Sequence, residues 1–229
     1  MSILLAHPET DVNRKNRSGA TPFLASCFTG TTSCFCLLLK DPRVQVNEPN
    51  FGGHTPLWFA AFFGHLDVIR WWIASGREMD FGTPGDYYTD AIEAAKDYGK
   101  TEVITLLEDF KKNPEKTMHQ VRMELDLFDE AAAGVFALLV FVSDGLLQIN
   151  DTTPSPAARY FNIAAQLPLE LQMVLCFRQV RSGKEIIQGR ESEVAFKDLV
   201  KRIFKGKSPV IPPPLSWCWL IPCVLVSVI

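Results

Sequence analysis

The chain repeats itself at a fixed interval. Thr21-Pro22-Phe23 returns 34 residues later as Thr55-Pro56-Leu57. Gly19 and Gly53, Gly30 and Gly64, Val12-Asn13 and Val46-Asn47, Leu4-Leu5 and Leu38-Leu39, and Pro8 and Pro42 all keep that offset. A third copy follows at an offset of 35, with Asp90-Ala91-Ile92 on Thr55-Pro56-Leu57, Ala95 on Ala60, Gly99 on Gly64 and Val103-Ile104 on Val68-Ile69. A period of this length constrains the fold severely. One such unit cannot bury its apolar face alone, so successive units must stack into a continuous core.

The residues at the repeated positions predict the shape of the unit. The threonine caps a short inner helix by accepting backbone N–H bonds, and the proline fits the first turn, where no N–H is needed. Ala60-Ala61 lets neighbouring inner helices approach closely. Gly64 ends that helix in a left-handed cap. Val68, Ile69, Trp72 and Ile73 then recur at helical spacing on an outer helix.

The run Asn50–Asp80, with Gly53-His54-Thr55-Pro56-Leu57, Ala60-Ala61 and Gly64, closely resembles the ankyrin repeat. The resemblance covers about residues 2–112 and implies an all-α fold. An ankyrin solenoid of about three repeats plus a partial N-terminal one occupies 1–112, followed by a small helical domain. It also implies a protein–protein interaction scaffold without a catalytic residue, cofactor, metal or small-molecule substrate. Such domains bind protein partners through hairpin tips and the concave face of the inner helices. Carried onto this sequence, the tips are Arg17, Ser18 and Ala20, then Phe51, Gly52 and His54, then Asp86, Tyr87 and Thr89. The concave positions are Phe28-Thr29, Phe62-Phe63 and Asp97-Tyr98. The resulting partner-binding candidates are Arg17, Phe28, Phe51, His54, Phe62, Phe63, Tyr87 and Tyr98, and the partner is a protein of unknown identity.

The flanks depart from the pattern. The first outer helix, Ile3 to Ala6, has no inner helix before it, which points to an incomplete or degenerate N-terminal repeat. The third copy has Asp90-Ala91 for Thr-Pro and Tyr88 at the turn-glycine position, as expected of a last repeat modified on its outward side. Residues 113–204 read as a helical C-terminal domain. Met118, Val121, Leu125 and Phe128 fit one helical face, and Ala131 to Val142 is apolar all round but too short to span a bilayer. Further helices are predicted over Ala157–Ala165, Pro168–Phe177 and Glu191–Phe204. Residues 205–229 form a proline-rich linker and an apolar tail. Three readings of that tail stand together: a membrane anchor, a buried strand, or a mistranslated end. Membrane contact is thus assigned only to 215–229.

Composition excludes several function classes. A net charge of −3 and a pI near 5.8 argue against a nucleic-acid partner, which demands a broad basic face. The local excess of five positive charges over Arg178–Lys207 reads as a solvated helical face. Six cysteines without a Cys-x-x-Cys pair make no zinc site and fit reduced thiols in the cytoplasm or nucleus, with Cys27, Cys34 and Cys36 expected as small buried apolar residues. Gly82-Thr83-Pro84-Gly85 lacks the Gly-Lys-Ser/Thr of a phosphate loop. Residues 115–204 are similar to the C-terminal extension of some fungal ankyrin proteins of uncharacterised role. Leu167-Pro168-Leu169-Glu170-Leu171 with Phe196 also resembles an F-box, which would imply a substrate adaptor of a ubiquitin ligase.

Overall fold

The computed structural model describes residues 5, 7–83, 85–86, 89–149, 156–179, 186–204 and 226–228. It divides into two compact units, Met1–Val121 and Arg122–Ile229.

The first unit is built from helix pairs. Its inner helices are α1 (Pro22–Thr29), α3 (Pro56–Phe63) and α5 (Ala91–Asp97). Its outer helices are α2 (Thr32–Leu39), α4 (Leu66–Ser75) and α6 (Thr101–Lys112). Inner helices stack on inner helices and outer on outer, so each pair buries the apolar side of the one before. Thr21 Oγ1 accepts from Leu24 N–H at 3.2 Å and Thr55 Oγ1 from Trp58 N–H at 3.1 Å, with the proline at the start of each helix. Gly30 and Gly64 close α1 and α3 in the left-handed conformation. Phe23, Phe35 and Trp72, all fully buried, form the centre of the core, with Trp72 edge-on to Phe23 at 5.0 Å between centroids. Of the repeat cysteines only Cys27 is buried. Cys34 and Cys36 are partly exposed, because the buried face of α2 is made by Phe35, Leu38 and Leu39 and they flank it. The expected first outer helix falls outside the described residues except for Leu5, which is helical.

The third copy keeps the architecture by different chemistry. Asp90 caps α5 with one carboxylate oxygen accepting from both Ile92 and Glu93 N–H, at 2.9 and 3.1 Å, and the other accepting from Gly85 N–H at 2.9 Å. Its outer helix packs on α4.

Helix α7 (Pro114–Glu124) follows, and two residues beyond its end stands Asp126, whose φ of 51° is left-handed. The continuous face expected from Met118 to Phe128 is therefore interrupted, and α8 (Leu127–Ser143) starts afresh. In the second unit α8 is the central helix. Ala132, Ala133, Val135, Phe136, Ala137, Leu138 and Leu139 are buried along it, in a core that Phe161, Cys176, Phe177 and Leu199 complete. These come from α9 (Pro156–Ala164), α10 (Leu169–Gln179) and α11 (Gly189–Phe204). The apolar run of α8 is thus spent on covering helices, as its shortness suggests. Strand β1 (Leu147–Ile149) pairs antiparallel with β2 (Val226–Val228), Gln148 opposite Ser227, so among the described residues the fold is all-α apart from two three-residue strands. The rest of the apolar tail lies outside the described residues. No described helix is long and apolar enough to cross a membrane.

Candidate interaction surface

The inner helices expose the face that the outer helices do not cover. On α3, Trp58, Phe59, Phe62 and Phe63 follow one another at helical spacing, so the helix carries aromatic rings along its length. Trp58 is buried, Phe59 and Phe62 are half-buried, and Phe63 is 39% exposed. Neighbouring helices extend the row on both sides. Phe28 of α1, 48% exposed, lies edge-on to Phe59 and Phe63 at 5.4 and 4.9 Å between centroids. Tyr98, the residue that ends α5, is 48% exposed and lies 4.0 Å from Phe62. The stacked contact of Phe62 on Trp58, at 4.8 Å, ties the row to the core beneath. Three consecutive repeats therefore contribute to one sheet of rings in mutual contact, arranged mostly edge-to-face as aromatic quadrupoles prefer.

The predicted residues fall into groups. Phe28, Phe62, Phe63 and Tyr98 come together in the row. His54 stands at its hairpin end, 4.4 Å from Trp58 and 5.6 Å from Phe59. Phe51 is apart from the row at the hairpin tip, 74% exposed, its ring against Gly19 and beneath Lys15 Nζ at 5.6 Å from the centroid. That ammonium also binds Glu48 at 2.7 Å and the Pro49 carbonyl at 3.1 Å, so the tip of the second repeat is held to the first. Arg17 is exposed on the first tip. Tyr87 lies outside the described residues.

The hairpins that present these residues are fixed from within. Asn16 Oδ1 accepts from Ser18 and Ala20 N–H, and Asn50 Oδ1 from Gly52 and His54 N–H, all at 2.9–3.0 Å. Phe51 N–H donates to the Ser18 carbonyl at 3.1 Å, which sets the two tips in register. His65 supports the other end of the inner helices. Its Nε2 lies 3.1 Å from the Phe28 carbonyl, and its ring fills the space beside Gly30 and stacks on Phe63.

Sequence reasoning missed Phe59, although it stands one turn before Phe62 and Phe63. It also missed a pair of arginines with the repeat's own offset. Arg77 donates to the carbonyls of Leu39, Asp41 and Val44 at 3.2, 3.2 and 2.6 Å. Arg43 donates in the same manner to Leu5, His7 and Pro8 at 2.9, 3.3 and 3.0 Å. Each guanidinium gathers the carbonyls at the end of the preceding outer helix and its turn, where those of Asp41 and His7 also accept from the N–H of Val44 and Thr10, both at 3.2 Å. In the second unit, Leu167 of the Leu-Pro run sits before α10, its carbonyl accepting from Gln172 Nε2 at 2.9 Å, while Leu169 and Leu171 are about half exposed.

The family model of ankyrin repeats (3 copies) matches residues 1–83. Residues 1–83 are a run of ankyrin repeats. No curated protein matches the chain significantly. The match stops short of α5, where the chain exchanges Thr-Pro for Asp90-Ala91 and yet continues the stacking. Ankyrin repeats are protein-interaction modules. Among the described residues no cluster of His, Cys, Asp and Glu is arranged to hold a metal ion.

Proposed function

We propose that the protein binds a partner protein on the aromatic row of its inner helices, acting as a cytoplasmic or nuclear scaffold without a catalytic step of its own. The observation that carries this reading is the contact of Phe28, Phe59, Phe62, Phe63 and Tyr98 across three repeats, with Phe28, Phe63 and Tyr98 about 40–50% open to solvent. At roughly 200 Å² per aromatic side chain, those three alone leave about 270 Å² of ring surface exposed. With the half-buried rings between them, the patch reaches the size that marks an interaction site on a soluble monomer. Aromatic anchors of this kind dominate binding energy when a partner desolvates them. Arg17, His54 and Phe51, at or near the hairpin tips, would form the rim.

Phe28 and Phe63 are the side chains to remove. Phe62 is wedged between Trp58 and Tyr98, so its loss would loosen the surface itself. The variant Phe28→Ala/Phe63→Ala is expected to keep the wild-type melting temperature to within a few degrees. It should lose the partners recovered by affinity purification of the full chain, with capture weakened about 30-fold or more. An unchanged partner set from a folded variant would overturn the reading.

A further inference from the structure

What the row lacks constrains what can lie on it. Helices α1 (PFLASCFT) and α3 (PLWFAAFF) contain no charged residue. Charge begins at the margins and is of mixed sign there: His65 stacks on Phe63, the stem of Lys100 lies against Gly64, and Asp97 is exposed beside Tyr98. A charged side chain seated over Phe28 or Phe63 would lose its water and meet no counter-ion on either helix. Hydrogen-bonding groups are as scarce. An inner helix bonds its backbone along its own axis, and its end carbonyls are in use. Ser26 accepts from Thr31 N–H, Ala60 from His65 N–H, and the Phe28 carbonyl faces His65 Nε2 at 3.1 Å. Of the five rings only Tyr98 bears a hydroxyl. A strand or loop laid here would press its own N–H groups against carbon. Proline has no N–H to lose. Size narrows the choice further. The few hundred Å² of exposed ring falls well short of the roughly 800 Å² per partner that a stable protein–protein interface buries, so a short segment fits and a second copy of the chain does not.

This proposal rests on the reading above. We infer that the row takes an uncharged, proline-rich segment of a partner protein in the polyproline II conformation, with prolines at i and i+3. The rings cross from one inner helix to the next at two joints, Phe28 with Phe63 and Phe62 with Tyr98. Packed helices stand about 8–10 Å apart, which sets the distance between the joints. Polyproline II advances about 3.1 Å per residue with three residues per turn, so prolines at i and i+3 stand roughly 9 Å apart and fall on the two joints together. Such a segment arrives already ordered and makes no backbone hydrogen bonds of its own, so docking on rings forfeits few. Its carbonyls still want donors, and the Tyr98 hydroxyl supplies one at the third repeat.

The test is a library of random nine-residue peptides displayed on phage and selected on the full chain. Enriched peptides should share two prolines three positions apart, with no charged residue between them. Replacing either proline of the best peptide by alanine should weaken its binding about fivefold or more. Tyr98→Phe, checked for wild-type circular dichroism, should weaken it by about threefold, the loss of one hydrogen bond. Enrichment without the proline spacing, enrichment of charged central residues, or none above background overturns the proposal. The same selection on Phe28→Ala/Phe63→Ala separates the two claims. Enrichment without prolines that vanishes in this variant leaves the aromatic site standing and removes the proline-rich segment. Enrichment that survives the variant counts against both.

Discussion

At the scale of single residues, Asp90 shows how a repeat can lose its signature and keep its fold. A threonine at this position would offer one hydroxyl to the first turn of α5, whereas the carboxylate takes three N–H donors, from Ile92, Glu93 and Gly85. It also places negative charge at the positive end of the helix. Asp90→Ala is therefore expected to destabilise the first unit by about 2 kcal/mol in urea unfolding followed by circular dichroism. Asp90→Thr should recover only part of that loss, since it restores one acceptor of the two. Equal stability of the alanine variant and the parent would show that the cap contributes nothing.

The same residue marks the boundary of what the sequence makes legible. The first two inner helices could be read directly, because a Thr-Pro start and a closing glycine are each required by local backbone chemistry. The third could be aligned only through Ala95, Gly99 and Val103, since Asp replaces the signature by a different route to the same cap. The aromatic row was partly legible. Phe28, Phe62, Phe63 and Tyr98 follow from their place before the closing glycine, whereas Phe59 joins them only through helical geometry. The break at Asp126 was not legible, because no glycine or proline announces its left-handed backbone.

Among elements, the joints between outer helices depend on Arg43 and Arg77. Neither was read as structural from the sequence, because an arginine in a polar turn looks like a solvated charge. Arg77 reaches three carbonyls of the preceding repeat from a partly buried position, and burial pulls its pKa down without threatening its charge. Arg77→Ala takes the shared donor from the joint between α2 and α4, leaving the Asp41 carbonyl only its Val44 N–H, and a loss of about 2–3 kcal/mol in urea unfolding is expected. Arg77→Lys should rescue little, because a single ammonium cannot reproduce a planar fork spread over three acceptors. Full rescue by lysine would mean that charge alone holds the joint.

For the whole molecule, the acid limit of stability follows from how Arg43 is held. Asp41 Oδ1 accepts from the backbone N–H and Nε of Arg43, both at 3.0 Å, and Oδ2 from Nη2 at 2.6 Å. The hydrogen bonds from that side chain hold the Asp41 carboxyl below the ordinary carboxylate range. A group depressed on folding stabilises the native state above its unfolded pKa, near 4, and the contribution disappears as pH falls through the folded value. Melting temperature should stay level from pH 5 to 8 and decline below about pH 4. Asp41→Asn should start lower and decline less steeply, measured by thermal scans across that range. A parallel decline in both proteins would assign the acid sensitivity to other carboxylates.

Solenoids of this kind have stabilities that add up from individual repeats and the interfaces between neighbours, so their ends can open while the middle holds. Phe28, Phe63 and Tyr98 belong to three different inner helices, and a segment laid across them would touch all three at once. It would act as a splint, binding only when the repeats are aligned and so lending its own affinity to their alignment. Occupancy of the row would then make three semi-independent repeats melt as one body.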